Sequence, residues 1–403
     1  MKTRDRIREE ALSKLEEHNY IGTLVLNTGA GKSRIAIEAI KQGDYNNILI
    51  VSPRTNLKEN WKKELEKWNL ELQKVTIENI QTAYKWDETK IQNFDIIIFD
   101  EIHTTTTEKY GLLLEKASKL NISRIGLTAT PDIVRRDDKK DFYDLHCPII
   151  YQYLTSEEDK VTNKKLVYVV YYDLDNNHMY QVETKTKTWK QGEKAYYDYL
   201  EKTIKESSSQ ITRLYPMYDV LGVKAVYALR NPGIPRPLKS LLRKYWWAIS
   251  NRKKLLWTLS SSVHIALRLK KRILASNSEN KILLFTELTE KCERLSKYTI
   301  HSKKDKLHND IMIETFNTKQ IRELASCQSL TLGMNLVGAN YAVFESFNSS
   351  ETNNLQKQGR LNRLPVEDEA ILIYIVPRDT QAQVWFEKAT ENQEIKTINI
   401  NQI

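Results

Sequence analysis

The stretch LVLNTGAGKSRIAIEAI, residues 24–40, joins a short apolar run to a helical pattern through two glycines that flank an alanine. This order constrains the chain to an α/β unit, because a buried strand passes through a tight turn into an amphipathic helix. Gly29 and Gly31 permit backbone conformations that other residues avoid, so successive N–H groups can point at one anion. The positive N-terminal end of the helix attracts the same anion, and the stretch therefore indicates a phosphate-binding loop.

Side chains of the loop support this interpretation. Lys32 supplies a mobile cation, and Ser33 supplies a hydroxyl of the kind that ligates Mg²⁺ in such loops. The strict pattern requires glycine five residues before Gly31, where this chain has Leu26. An ordinary glycine turn of an α/β unit is the alternative.

Strands and helices continue to alternate along the first third of the chain. Apolar runs at 47–53, 94–103 and 124–131 predict strands, and residues 56–68 predict an amphipathic helix. Its core positions are predicted to be Leu57, Trp61, Leu65 and Trp68. The alternation is typical of a parallel α/β sheet.

The strand predicted at 94–103 is entirely apolar from Ile96 to Phe99 and ends in two adjacent carboxylates, Asp100 and Glu101. Ligands of open parallel sheets bind beyond the carboxyl ends of the strands, so Lys32 and Asp100 are expected to share one crevice. Two acids there suit two roles, since one can hold Mg²⁺ and the other can deprotonate a water that attacks the γ-phosphate. An acidic pair that is merely solvated at the start of a loop is the alternative.

Composition narrows the class of protein. The chain has 403 residues, 40% of them hydrophobic, and its longest apolar runs are far below the ~18 residues of a membrane span. The charged N-terminal stretch does not resemble a secretory signal. The three cysteines are scattered without CxxC spacing, which argues against a zinc site and indicates a reducing compartment. The seven histidines are equally dispersed. We therefore expect a cytoplasmic or intracellular protein with no membrane partner.

The net charge of +10 is concentrated in one segment. Residues 220–278, here called the basic segment, contain no Asp or Glu but thirteen Lys and Arg side chains, which favours a polyanion-binding surface. Its candidate nucleic-acid contacts are Arg236, Lys239, Arg243 and Lys244. The alternative is a solvated helix face whose other side packs Leu238, Leu241, Leu242 and Trp246. The aromatic residues among these charges either stack on bases or belong to the core: Tyr245, Trp246, Trp247 and Trp257.

Seven ordered motifs resemble those of superfamily 2 helicases. NTGAGKS, SPRTNL, DEIH and TAT resemble the first lobe of that family, and KILLFTE, TLGMNLVGANYAVF and QKQGRLNR resemble the second. The resemblance covers roughly residues 5–150 and 250–390. A helix from about 251 to 274 is expected to lead into the second lobe. The resemblance implies an α/β fold of two RecA-like parallel-sheet lobes with an inserted basic, mostly helical domain. The implied boundaries are 1–154 for lobe 1, 155–250 for the insertion and 251–403 for lobe 2.

The resemblance also assigns roles to residues. It implies ATP and Mg²⁺ as cofactors, with Ser33 and Asp100 on the metal and Glu101 as the catalytic base. The phosphates of ATP are expected to contact Thr28, Gly29, Ala30, Gly31, Lys32 and Ser33. Coupling of hydrolysis to lobe movement is expected of His103, Thr128 and Thr130. Gln356, Arg360 and Arg363 are expected to complete the catalytic site, with the two arginines neutralising charge on the transferred phosphoryl group. Arg54 and Thr331 are expected to contact nucleic acid.

Two departures from the family bear on function. Arg8 stands where relatives often carry a glutamine that reads adenine, so weak base selectivity is expected. Asn335 stands in TLGMNLVGANYAVF where many relatives have Asp, and this motif is similar to that of the Swi2/Snf2 branch, whose members track along duplexes without opening them. We therefore expect a monomeric ATP-dependent helicase that translocates on and unwinds or remodels DNA, in preference to RNA.

Several alternatives remain open from the sequence. These are a duplex DNA translocase without strand separation, an RNA helicase and, in another class, an ATP-gated nucleic-acid-binding switch. The chain's compact organisation and its richness in Lys, Asn and Ile are compatible with a viral or phage enzyme.

Overall fold

The computed structural model describes residues 3–27, 29–53, 57–106, 108–129, 137–153, 164–183, 187–222, 224–327, 336–346, 368–390 and 393–399. Its contacts divide the chain into two compact units. The first is built mainly from residues up to Lys165 and the second mainly from Leu166 onward.

The first unit alternates strands with helices, as the sequence predicts. Its described strands are β1 (Ile21–Leu26), β2 (Ile48–Ser52), β3 (Val75–Asn79), β4 (Ile96–Asp100), β5 (Ser123–Thr128) and β6 (Ile149–Tyr153). Its described helices are α1 (Arg4–Glu17), α2 (Lys32–Gln42), α3 (Leu57–Lys67), α4 (Ile80–Ala83), α5 (Glu88–Ile91), α6 (Glu108–Lys119) and α7 (Asp137–His146), with 3₁₀ turns at Leu72–Lys74 and Ile102–Thr106.

These strands form one parallel sheet in the order β3-β2-β4-β5-β1-β6. Strand β4 is buried along Ile96–Phe99 and lies between β2 and β5, so its first carboxylate, Asp100, emerges near the middle of the sheet. Strands β5 and β1 continue the order, and Leu26 and Thr128 therefore end at the same edge as Asp100. Helix α3 buries Trp61 and Leu65, whereas Leu57 and Trp68 are half-buried.

The second unit contains the other parallel sheet. Its described strands are β7 (Lys164–Tyr172), β8 (Met179–Glu183), β9 (Thr188–Gly192), β10 (Ile282–Thr286), β11 (Thr299–Ile300), β12 (Glu323–Cys327), β13 (Tyr341–Phe344), β14 (Glu369–Pro377) and β15 (Ile395–Thr397). Its described helices are α8 (Glu193–Leu214), α9 (Lys224–Arg230), α10 (Arg236–Thr258), α11 (Ser260–Ser276), α12 (Thr289–Leu295), α13 (Lys306–Asn317) and α14 (Gln381–Ala389).

Seven of these strands form a sheet in the order β11-β12-β10-β13-β14-β7-β15, and β11, β12, β10, β13 and β14 pair in parallel. Strands β8 and β9 form a separate antiparallel hairpin. The two parallel sheets confirm the predicted α/β architecture. Strand β7 lies within the second sheet, and helix α10 runs through residue 250. The domain boundaries at 154/155 and 250/251 stay predictions.

One predicted helix is wrong in its extent. The sequence indicates a helix from about 251 to 274, but the structure breaks it at Leu259 into α10 and α11. The carboxylate of Glu193, which is 1% exposed, accepts hydrogen bonds from the Ser260 N–H at 2.6 Å and from the Ser261 hydroxyl at 2.8 Å. This distant side chain caps the N-terminus of α11, because the first N–H groups of a helix have no partner within it.

Helices α8 and α10 pack against each other in the second unit. Their apolar cluster includes Ile211 from α8 and Leu238, Leu242 and Tyr245 from α10. Trp246 is half-buried against this cluster, whereas Trp247 is 39% exposed. The alternative that the tryptophans belong to the core therefore fits Trp246 better than Trp247.

Replacing Gly126 with alanine is expected to destabilise the first unit. A Cβ on Gly126 would lie 2.5 Å from Cδ1 of Ile102 and 2.7 Å from Oγ1 of Thr23, whose hydroxyl is committed to the Cys147 carbonyl at 2.7 Å. Overpacking of this kind costs about 1–3 kcal/mol. Urea unfolding of wild type and Gly126→Ala measures the difference, and an unchanged midpoint would show that Ile102 has room to move.

Candidate active site

The glycine loop has the backbone conformation that its sequence predicts. Gly29 and Gly31 have φ angles of 90° and 93°, and helix α2 begins immediately afterwards at Lys32. A Cβ on Gly31 would meet no atom within 4 Å, so its positive φ, rather than crowding, requires glycine. The Ala30 N–H donates to the Asn27 carbonyl at 3.1 Å, which closes the turn between β1 and α2.

The ammonium group of Lys32 is influenced by the negative charges of two carboxylates at the end of β4. This ammonium donates to the Leu26 carbonyl at 3.0 Å. Desolvation lowers the pKa of Lys32, while the negative charges of Glu101 and Asp100 act to raise it. The structure therefore brings Lys32 within electrostatic reach of both carboxylates at the carboxyl end of the sheet.

Asp100 is the most perturbed carboxylate of this group. Burial and the neighbouring Glu101 raise its pKa to about 6, against the opposing effects of Trp61, Lys32 and His103. The Trp61 indole Nε1–H donates to Asp100 Oδ2 at 2.9 Å and fixes the orientation of the carboxyl group. Ionising Asp100 here is costly without a further positive charge. Its oxygens, with the Ser33 hydroxyl in the first turn of α2, are hard donors that fit Mg²⁺.

Glu101 lies in a tight turn directly after β4. Its φ is 53°, in the left-handed region, and the Thr104 N–H donates to its carbonyl at 2.9 Å. One ring nitrogen, Nδ1 of His103, lies 3.3 Å from Glu101 Oε2 and 3.1 Å from the Thr128 hydroxyl. Burial lowers the pKa of His103 to about 4, so the ring is neutral near pH 7. His103 thus connects the acidic turn after β4 to the end of β5.

Further residues hold this turn, although no sequence motif points to them. The buried Tyr143 hydroxyl donates to the Ile102 carbonyl at 3.0 Å, and the Thr105 hydroxyl donates to the same carbonyl at 2.7 Å. Tyr143 comes from α7, about forty residues along the chain, and no motif marks it. Trp61 was predicted only as a core residue, so its bond to Asp100 is also new.

Arg8 makes ion pairs that the sequence did not indicate. Its guanidinium lies 3.1 Å from Glu38 of α2 and 2.5 Å from Asp5 of α1. Arg8 therefore links the first helix to the helix that follows the glycine loop.

The basic segment presents charge on one side of α10. Arg236, Arg243 and Lys244 are exposed and Lys239 is half-buried. Within the described part of the chain, none of these four side chains forms an ion pair.

The remaining predicted site residues lie outside the described residues. They are Thr28, Arg54, Thr130, Thr331, Gln356, Arg360 and Arg363. Their roles stay predictions, as do those of the described site residues.

Among the described residues, no group of three or more His, Cys, Asp and Glu side chains is placed to hold a metal ion. The three cysteines are free and buried. In the same ranges, no helix has both the length and the apolar character needed to cross a membrane.

Comparison with known proteins decides the family. Residues 4–133 match the family model described as type III restriction enzyme, res subunit, and residues 266–365 match the helicase conserved C-terminal domain. The chain is 26% identical over 381 residues to DNA 3'-5' translocase XPB2 of Sulfurisphaera tokodaii, covering 89% of this chain and 78% of that protein. The chain is a superfamily 2 helicase or translocase. It is accordingly a nucleic-acid-dependent, ATP-hydrolysing enzyme.

Solved structures agree on the fold of this superfamily 2 protein. The Pyrococcus furiosus Hef helicase domain is similar with a TM-score of 0.56 at 14% identity, covering 95% of this chain and 97% of that one. Dbp5 of S. cerevisiae, bound to RNA and ADP BeF3, is similar with a TM-score of 0.56 at 12% identity, covering 98% and 90%. Both likenesses support two RecA-like domains.

Asp100→Asn is expected to stabilise the protein at alkaline pH. A carboxyl whose pKa rises from 3.8 to about 6 on folding contributes stability at acid pH that is lost as the pH rises through 6. Asparagine stays neutral and still offers an oxygen to Trp61, so the variant should gain about 1–3 kcal/mol at pH 8.

The measurement is chemical unfolding of both proteins in EDTA, without nucleotide, from pH 4 to pH 8. The gain should shrink toward pH 4, where the wild-type carboxyl is protonated. A variant that is less stable than wild type at pH 8, or a pH-independent difference, would contradict a raised pKa for Asp100.

Proposed function

We propose that this helicase or translocase acts on DNA, coupling ATP hydrolysis to movement along it. The observation that carries the proposal is the proximity of Lys32, Asp100 and Glu101, whose charges influence the pKa values of Lys32 and Asp100 at the carboxyl end of the first sheet. The choice of DNA is supported by the relative named as a DNA translocase and by the exposed basic side of α10.

In this proposal the glycine loop and Lys32 bind the phosphates of ATP. Helix α2 begins at Lys32 without a side-chain cap, and anions bind favourably at such a helix N-terminus. Ser33 and Asp100 hold the magnesium ion, which neutralises phosphate charge when bound. The raised pKa of Asp100 supports this role, because a carboxylate that lacks sufficient counter-charge gains most from a cation.

Glu101 is proposed as the base that deprotonates the attacking water. The turn after β4 holds its backbone, with Ile102 fixed by the Tyr143 and Thr105 hydroxyls. His103 and Thr128 are proposed to transmit changes at Glu101 to β5, because Nδ1 of His103 lies near both the Glu101 carboxylate and the Thr128 hydroxyl. Gln356, Arg360 and Arg363 keep their predicted catalytic roles.

Glu101→Gln should bind ATP with Mg²⁺ yet hydrolyse it slowly. The substitution keeps the size of the side chain but removes a base, and general-base catalysis is worth roughly 10²–10⁴-fold. Nucleotide binding and steady-state ATPase turnover measure the two effects separately. Glu88→Gln, which alters an exposed ion pair with Lys119, is the matched control and should retain wild-type turnover. Near-normal turnover in Glu101→Gln would rule out Glu101 as the base.

The exposed basic side of α10, here called the basic face, consists of Arg236, Lys239, Arg243 and Lys244. Replacing all four by alanine should weaken DNA binding about equally for all DNA sequences. Binding to phosphates releases counterions, so the log–log salt slope of duplex affinity should flatten by roughly 0.9 for each phosphate that the variant no longer neutralises. Measurement of affinity for a forked duplex across a salt series gives the slope.

The control variant removes the same charge from exposed lysines of the first unit, Lys14, Lys62, Lys63 and Lys119. Its slope should change less than that of the basic-face variant. If both variants are folded by circular dichroism and have equal salt slopes, the basic face is a solvated helix surface and does not contact DNA.

A further inference from the structure

Two aromatic side chains lie exposed and in contact on the surface shared by α8 and α10. Tyr199 of α8 is 50% exposed and Trp247 of α10 is 39% exposed, and their ring centroids are 6.5 Å apart at an interplanar angle of 76°. Tyr245 and Trp246, immediately before Trp247, turn toward the apolar cluster instead. The register of α10 therefore directs Trp247 outward.

A stack of tyrosines packs against the Tyr199 side of this pair. Tyr199 stacks on Tyr196 with ring centroids 6.3 Å apart, and Tyr196 stacks on Tyr180 at 5.2 Å, each with an interplanar angle of 15°. Tyr196 is only 1% exposed, so the stack runs from the core to the surface. The exposed ring of Tyr199 is held in position by packing before any ligand arrives, which lowers the entropic cost of binding.

Charge next to the pair is positive. Arg243 and Lys244 precede Trp247 by four and three residues, so they lie on the same face of α10 and are exposed. The nearby acids of α8 already have partners, since Asp198 pairs with Lys194 at 2.8 Å and Glu201 pairs with Arg252 at 2.5 Å. An aromatic surface bordered by cations that form no ion pair within the described ranges suits a ligand with flat rings and negative charges.

We propose that Tyr199 and Trp247 form a base-stacking platform for single-stranded nucleic acid, with Arg243 and Lys244 contacting the adjoining phosphates. This inference rests on the proposed action on DNA and refines it. Bases in a duplex are stacked on each other and hide their faces, so the platform would recognise only unpaired nucleotides. Stacking on an aromatic side chain contributes about 5- to 150-fold in affinity per base.

The test compares affinity for an oligo-dT strand with affinity for a blunt duplex, in wild type, Trp247→Ala and Trp247→Phe. We expect Trp247→Ala to weaken oligo-dT binding on the order of tenfold, with little change for the duplex and an unchanged salt slope, because no charge is removed. Trp247→Phe retains a ring and should keep most of the affinity. Trp189→Ala removes another exposed tryptophan, 43% exposed on β9, and should bind oligo-dT as wild type does.

Quenching of tryptophan fluorescence gives a second readout. Oligo-dT should quench wild type more than Trp247→Phe. Equal oligo-dT affinity in wild type and Trp247→Ala, or equal weakening for strand and duplex, would overturn the platform. Failure of the proposed function is distinguishable, because wild-type ATPase would then not respond to DNA at all.

Discussion

The buried carboxyl group of Asp100 at the end of β4 is the constraint around which the candidate site is arranged. Four buried residues of β4 deliver Asp100 to the middle of the sheet edge, where burial raises its pKa to about 6. Trp61 and Lys32 offset part of that cost through a hydrogen bond and a positive charge. A group held at such an energetic disadvantage responds strongly to a bound cation, and it marks the site where chemistry is expected.

A second buried carboxylate organises the other unit in a different way. Glu193 caps α11, while its own backbone N–H donates to the His178 carbonyl at 2.9 Å. One residue therefore joins the start of α8, the start of α11 and the loop after β7. Helix α8 is consequently linked at its first residue to α11, which packs on β10 of the second sheet.

The sequence predicted those features that local pattern determines. Strand and helix alternation, the glycine loop and the acidic pair each follow from neighbouring residues, and the structure has them. It did not predict the break at Leu259, because the stabilising carboxylate lies more than sixty residues away at Glu193. Trp61 and Tyr143 were missed for the same reason, since each reaches the β4 turn through tertiary packing. The three consecutive serines, Ser260–Ser262, were the one local signal for the break, because serine favours helix N-termini.

We propose that the site formed by Lys32, Asp100 and Glu101 hydrolyses ATP in response to DNA. We propose that burial and charge prepare this site for a magnesium nucleotide, and that the basic segment supplies a surface for the polymer. The most direct test is steady-state ATPase turnover of the wild-type protein with single-stranded DNA, duplex DNA, branched DNA and RNA. We expect at least one form of DNA to raise turnover above the basal rate, and to raise it more than RNA does. Turnover that is absent, or that no nucleic acid changes, would contradict the proposal.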